Sequence, residues 1–204
     1  MDLKAIYGTK LAGVLEKYRS KNEPLAEKGF LLFENLEESA LLFLGINPSE
    51  VTDTEKYSIK NKNGIYWAKE TFKNEYPFYR PFKDLACGMK WSHLDAFFSC
   101  EKHQGVLKTM KDSEFLKEQF TISTEIIQKL GPKIIVVGNA HASDLIQKDF
   151  GCTFDDKIGT YRIKKFNNVP IFFSGMITGS RALDIGSRER LKWHIKFVKE
   201  KHGI

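Results

Sequence analysis

The stretch 40–50, ALLFLGINPSE, changes character at Gly45. The four apolar residues Leu41–Leu44 predict a buried strand. They run directly into Gly-Ile-Asn-Pro-Ser, an order that a purely structural turn does not need. In open α/β sheets, ligands bind at the carboxyl ends of the strands. We therefore predict that residues 45–49 form an active-site loop at the end of a parallel strand.

Three further apolar runs predict strands, and helical patterns lie between them. The strands are expected at 91–98, 133–138 and 170–175, and the helices at 78–88, 113–130, 140–151 and 187–202. Ser187 is the expected cap of the last helix, and Trp193 and Phe197 are expected in its buried face. Strand alternating with helix is typical of a parallel sheet covered by helices. The predicted fold class is α/β, a three-layer α/β/α sandwich with a central four-stranded parallel sheet.

Two segments depart from this alternation. Residues 159–173 predict a hairpin with Asn167-Asn168 as its turn. Segment 46–77 is polar and aromatic without clear periodicity, and such long loops are uncommon unless they bind something. The chain of 204 residues shows neither a repeat nor a linker, so we expect a single domain over 1–204.

Composition narrows the class of protein. The formal net charge of +6 favours a polyanionic partner such as nucleic acid. No apolar run approaches the roughly 20 residues of a membrane helix, and the first residues lack a signal-peptide core. The 3 cysteines are widely spaced without C-x-x-C, which argues against a disulfide framework and a four-cysteine metal site. We expect a cytoplasmic, monomeric protein without metal or cofactor.

Polar residues gather at the predicted strand ends. In chain order they are Asn47, Pro48 and Ser49 after the first strand, His93 and Asp95 in the second, and Ser174, Gly175, Thr178 and Ser180 after the fourth. The set is rich in amides and hydroxyls, and it contains neither a G-x-S-x-G elbow nor a phosphate-binding P-loop.

The motif LLFLGINPS (41–49) resembles the first motif of the uracil-DNA glycosylase superfamily. In that superfamily a strand ends in Gly, followed by Asp or Asn and by Pro, and the Gly-x-Asn-Pro order is closest to the mismatch-specific and single-strand-selective branches. Three more segments stand in the family's order: RPFKDLACGM (80–89), PKIIVVGNAHASDLI (132–146) and IFFSGMITGSR (171–181). The resemblance spans about residues 40–200.

The resemblance implies hydrolysis of the N-glycosidic bond of a flipped, modified base such as uracil. Asn47 would orient a water with its amide oxygen, and Ser174 with nearby backbone N–H groups would stabilise the leaving base. An aromatic side chain would stack on the base. The remaining substrate contacts would come from Gly45, Ile46, Pro48, Ser49 and Gly175, with Tyr66, Trp67, Phe72 and Phe78 as the aromatic candidates.

The last motif departs from the family pattern. The fourth strand ends in Ser174-Gly175-Met176, whereas many members carry there a His that donates to the leaving base. The base-reading Asn after the second strand is also missing, and His93 or Asp95 occupies its approximate place. DNA is the predicted partner, with Ile177 as a wedge between bases. The expected phosphate contacts are Thr178, Ser180, Arg181 and Arg188.

Each assignment has a structural alternative. Asn47-Pro48-Ser49 also fits an Asx-type turn, His93 fits a hydrogen-bonded core residue, and the loop aromatics fit simple packing. Two other functions remain open from the residues alone. One is a non-catalytic nucleic-acid or nucleotide-binding module, which the missing His and Asn favour. The other is a hydrolase of a free nucleoside or another small N-glycoside.

Overall fold

The computed structural model describes residues 1–49, 58–60, 64–69, 71–110 and 113–204, with only the backbone described for 58–60. The helices are α1 (Leu3–Arg19), α2 (Pro24–Glu27), α3 (Thr71–Glu75), α4 (Arg80–Leu85), α5 (Gln104–Thr109), α6 (Glu114–Leu130), α7 (Ala140–Phe150) and α8 (Ile185–His202). The strands are β1 (Phe30–Phe33), β2 (Leu41–Gly45), β3 (Ser58–Lys60), β4 (Ile65–Ala68), β5 (Trp91–Asp95), β6 (Ile134–Val137), β7 (Cys152–Asp155), β8 (Thr160–Ile163) and β9 (Val169–Phe173). Across these ranges, no helix is both long and apolar enough to cross a membrane.

The chain divides into two compact units, each built from three separate stretches. The first unit contains Met1–Leu36, Ile46–Glu75 and Leu94–Ile126, and the second contains Glu37–Gly45, Tyr76–His93 and Ile127–Ile204. The expectation of a single domain over 1–204 stays a prediction.

The first unit contains a small sheet in the order β1-β4-β3. Strands β1 and β4 are parallel, and β3 is antiparallel to β4. Phe115 of α6 stacks on Phe30 of β1 with their ring centroids 5.7 Å apart, and both rings are fully buried. Segment 46–77, expected to be a loop without regular structure, therefore contributes β4 and α3 to this unit. Its residues 50–57, 61–63 and 70 lie outside the described part of the chain.

The larger sheet has the order β5-β2-β6-β9-β8-β7. Its four neighbouring strands β5, β2, β6 and β9 are the four that the apolar runs predict. Strands β2, β6 and β9 are parallel, whereas β8 and β7 continue the sheet in antiparallel pairing. The sheet is therefore mixed and six-stranded instead of four-stranded and parallel, because the chain folds back twice between β6 and β9.

The predicted hairpin is confirmed by the antiparallel pair β8 and β9. Asn167 and Asn168 in its turn have φ angles of 57° and 59°. This left-handed conformation is tolerated by Asn better than by most other residues, which explains why two of them stand there.

The predicted helices are confirmed, with one different cap and one different face. Asp184, not Ser187, is the N-cap of α8, since its Oδ1 accepts the Ser187 N–H at 2.9 Å. The expectation that Trp193 and Phe197 are core residues is wrong. They are 67% and 37% exposed and stack on each other, because α8 instead buries the face that carries Ile195 and Val198.

Candidate functional site

The turn after β2 is fixed by the side chain of Asn47. Its Nδ2 lies 2.6 Å from Pro48 O, 2.8 Å from Glu101 O and 3.3 Å from Ser99 O. All three partners are backbone carbonyls, which only accept, so the hydrogen bonds fix which amide atom is the donor. Within the described ranges no donor reaches Asn47 Oδ1. The half-buried amide therefore presents a free acceptor on a fixed turn.

The residues flanking Asn47 differ in exposure. Ile46 is 2% exposed and Pro48 is buried, whereas Ser49 is exposed and Gly45 is partly exposed. Proline locks its own φ near −65°, so Pro48 stiffens the backbone next to the amide. Of these predicted substrate contacts, Ser49 and Gly45 are open to solvent, and Ile46 and Pro48 serve as the packed base of the turn.

Segment 97–101 holds the Asn47 turn in place, because every backbone N–H from Phe97 to Glu101 has an acceptor. The fully buried Gln119 of α6 receives two of these hydrogen bonds on its Oε1, from the N–H groups of Phe98 and Ser99. The other three acceptors are Ile46 O for Phe97, Gly29 O for Cys100 and Pro48 O for Glu101. Since no donor in this segment is left over, the carbonyls that bind Asn47 are rigidly placed.

Glu101 anchors the far end of this segment with a buried carboxylate. Its side chain is 2% exposed, forms an ion pair with Lys28 and accepts the His103 N–H at 2.7 Å. Burial opposes ionisation, but the hydrogen bonds from Lys28 and the His103 N–H outweigh it, so the pKa of Glu101 lies below its ordinary value. The carboxylate is charged at neutral pH. Its ion pair with Lys28, the residue directly after α2, connects that residue to the segment that holds the Asn47 turn.

Asp95 is a carboxyl group of this region whose pKa lies near neutrality. It ends β5, two residues before Phe97, and it keeps limited contact with solvent although protein atoms surround it on most sides. Burial raises the pKa of the Asp95 carboxyl to about 7. Burial, and then the charge of Asp95, raises the pKa of the Cys100 thiol to about 12, while Lys28 opposes this shift. A recessed carboxyl that titrates near neutrality is suited to proton transfer.

Trp67 and Phe72, the predicted base-stacking residues, lie in the core of the first unit. Trp67 is 1% exposed and Phe72 is 3% exposed, and the Phe72 ring contacts Phe33 with centroids 6.1 Å apart. Neither ring has a free face for a base, because β4 and α3 turn both rings into the core. The packing alternative is the correct one for these two residues, and only Phe78, at 41%, is an exposed large aromatic among the four candidates.

His93 belongs to an aromatic cluster in the second unit. It is 7% exposed, and its ring meets Tyr79 and Phe82 edge to face at 5.5 and 5.4 Å between centroids. This environment is that of a packed core histidine, which favours the structural alternative over base reading.

At the end of β9, Ser174 keeps a side-chain hydroxyl without a partner among the described residues, but its backbone N–H is already hydrogen-bonded. The N–H of Ser174 binds Val137 O at 2.9 Å and so belongs to the sheet, not to a leaving-group site. Its Oγ is buried and has no hydrogen-bond partner among the residues described. Gly175, the next residue, is exposed. That Asn47, Ser174 and Gly175 line one pocket stays a prediction.

The predicted phosphate-binding residues lie on the loop after β9 and at the start of α8. Ser180 and Arg181 are exposed, whereas Thr178 is 8% exposed and Arg188 is partly buried. Ile177 is 3% exposed and packs against Gly138, so its prediction as a wedge between bases is wrong. Of the four predicted phosphate contacts, Ser180 and Arg181 are therefore the two that are exposed to solvent.

Three residues of the site have no signal in the sequence. Lys28, Glu101 and Gln119 lie in different helices or loops, and only the tertiary fold brings them to the Asn47 turn. The described residues contain no group of three or more His, Cys, Asp or Glu side chains that could hold a metal ion. No protein-family model matches the chain, and no curated protein matches it either.

Proposed function

We propose that the protein is a DNA-repair glycosylase-like hydrolase that cleaves the N-glycosidic bond of a flipped, modified base. The observation that carries this proposal is the Asn47 amide. Its donors are bound by backbone carbonyls, and no donor among the described residues reaches its Oδ1, which lies just after a buried strand. We also propose that the α/β fold is a three-layer α/β/α core of the glycosylase type.

Asn47 Oδ1 accepts a hydrogen bond from the attacking water and so orients it, and the water oxygen forms the new bond to the anomeric carbon of the sugar. The electron pair of the N-glycosidic bond leaves with the base. We assign the proton that the water releases to Asp95, because Phe97, two residues after it, binds Ile46 O next to Asn47, and because a pKa of about 7 suits a base near neutral pH. The base itself is reached only after it leaves the stack.

A second candidate function is a nucleic-acid or nucleotide-binding module without turnover. One observation favours it: the last motif ends in Ser174-Gly175-Met176, without the His or Asn that the glycosylase pattern places there. Ser174 offers only its hydroxyl, because its N–H is bound within the sheet.

The two candidates are separated by incubating the protein with oligonucleotides that carry uracil, hypoxanthine, xanthine or a mismatch. Abasic sites are then counted after alkaline cleavage, with unmodified duplex and single strand as controls. We expect abasic sites in at least one modified oligonucleotide. Binding without any abasic site in the panel would support the module, and release of a base from free nucleosides alone would redirect the proposal to a small N-glycoside.

A further inference from the structure

The second unit carries a depression of about 570 Å³ at the amino ends of β6 and β9. Three segments surround it: the connection between α6 and β6, the turn between β8 and β9, and the last residues of α8. Small-molecule sites usually enclose about 300–1,000 Å³, so the depression has the size of a ligand site. Ser174 follows the opposite, carboxyl end of β9, so this depression is separate from the loop after that strand.

Three cationic side chains and one histidine lie around the depression. Lys133, Arg162, Lys165 and His202 line it, and no Asp or Glu is among its lining residues. Lys133 has no ion-pair partner in the described ranges, and Lys165 only places its Nζ 4.8 Å from the ring centroid of Phe150. Two lysines therefore line the depression without a counter-ion among the described residues, which favours an anionic ligand.

Arg162 is held rigidly and keeps donors to spare. Its Nε binds Asp155 Oδ2 at 2.5 Å, Nη1 binds Asn168 O at 2.9 Å, and Nη2 lies 3.2 Å from His202 Nε2. A guanidinium only donates, so His202 Nε2 accepts and its Nδ1 carries the proton. Three of the five guanidinium N–H groups are used. Two remain, together with the His202 Nδ1–H, for a ligand oxygen.

The wall of the depression combines amides with apolar surface. Asn167 and Asn168 are exposed in the hairpin turn, and they add side-chain donors next to the cations. Phe166 and Pro170 are buried beneath them, and Ile127 and Val169 extend the apolar surface. A ligand that fits all of these groups has a multiply charged oxyanion at one end and a ring or other apolar body at the other.

We propose that this depression binds a phosphorylated, ring-bearing small molecule of nucleotide size. The phosphate lies among Lys133, Arg162 and Lys165, and the ring lies on the apolar wall near Phe166 and Pro170. The site is independent of the Asn47 turn and of the proposed hydrolysis.

The test is isothermal titration of the full chain with adenosine 5′-monophosphate, adenosine and inorganic phosphate. We expect saturable binding of the monophosphate, with adenosine and inorganic phosphate each at least about tenfold weaker. The side-chain amide signals of Asn167 and Asn168 should shift on titration. Absence of binding at millimolar monophosphate would overturn the proposal. So would equal affinity for adenosine, which removes the phosphate contacts, or for inorganic phosphate, which removes the ring contacts.

The variant Lys133→Gln/Lys165→Gln removes two exposed charges without disturbing the core. It should weaken monophosphate binding about tenfold, whereas Lys148→Gln, an exposed lysine of α7 outside the depression, should leave the affinity unchanged. Equal affinities for the double variant and the Lys148→Gln control would place the ligand elsewhere and refute the assigned site.

Discussion

Asn47 illustrates how one short side chain can satisfy a structural and a functional interpretation at once. Its nitrogen completes the turn, as the Asx-type alternative requires, by binding Pro48 O and Glu101 O. Its oxygen has no donor in the described part of the chain, as the water-binding interpretation requires. The sequence alone cannot separate the two interpretations, because two of the three acceptors that hold the nitrogen, Ser99 O and Glu101 O, lie 52 and 54 positions away in the chain.

At the same scale, Asp95 predicts a measurable pH dependence of stability. Its folded pKa of about 7 lies above the ordinary value of about 4, so the folded state binds this proton more tightly than the unfolded chain. The stability from Asp95 is therefore complete below about pH 4 and is lost as the pH rises through about 7. Asp95→Asn should gain stability relative to wild type between pH 4 and pH 8, by up to about 4 kcal/mol.

The measurement is urea unfolding of wild type and Asp95→Asn at both pH values. Carboxylates with lowered pKa, such as Glu101 and Glu118, lose stability in acid in both proteins, so they cancel in the difference. A difference that stays constant between pH 4 and pH 8 would show that Asp95 titrates normally and would remove it as the proposed base.

At the scale of elements, four apolar runs predict β2, β5, β6 and β9, whereas β1, although it is also an apolar run, is missed together with β4 and β7. Ile134–Val137 is β-branched throughout and is buried on both faces, so β6 is unambiguous. Strand β7 is missed because it lies at the edge of the sheet, where Thr153 and Phe154 are exposed and no alternation appears. Strand β4 is missed because its aromatic residues resemble those of a binding loop until packing buries Trp67.

Two glycines predict opposite effects of the same substitution. A Cβ on Gly138, just after β6, would lie 2.8 Å from Ile177 Cδ1, and Ile177 has little room to move since it is 3% exposed. Gly138→Ala should cost about 1–3 kcal/mol of unfolding free energy.

Gly13 lies in the exposed face of α1 with nothing within 4 Å, so Gly13→Ala should stabilise the protein by about 0.5–1 kcal/mol. Thermal or urea unfolding checks both, and a neutral Gly138→Ala would show that Ile177 is loosely packed.

At the scale of the whole molecule, the candidate site depends on contacts that span the chain. The strand ends and the Gly-x-Asn-Pro turn are predictable because each is a local pattern. The partners Lys28 and Gln119 are not, since an ion pair and a buried amide leave no periodicity in the sequence. Exposure is equally non-local, which is why Trp193 is expected in the core and is found 67% exposed.

The net charge of +6 predicts a salt-dependent interaction with DNA. If the exposed Arg181 contacts a phosphate, the slope of log affinity against log salt should become shallower by about 1 in Arg181→Gln. Lys108→Gln, an exposed lysine on α5, is the matched control and should leave the slope unchanged. Fluorescence anisotropy with a labelled oligonucleotide at several salt concentrations measures both, and an identical slope in the two variants would exclude Arg181 from the interface.

Single-turnover base release from a modified oligonucleotide measures whether the Asn47 oxygen positions the attacking water. Asn47→Ala should lower the rate about 10²–10⁴-fold, the range for a positioned proton-handling group. Asn139→Ala is the matched control, because Asn139 is also a strand-end amide but caps α7 by binding the N–H groups of His141 and Ala142. We expect a wild-type rate for Asn139→Ala once both variants are shown to be folded. Equal rates for wild type and folded Asn47→Ala would show that the Asn47 side chain does not position the water.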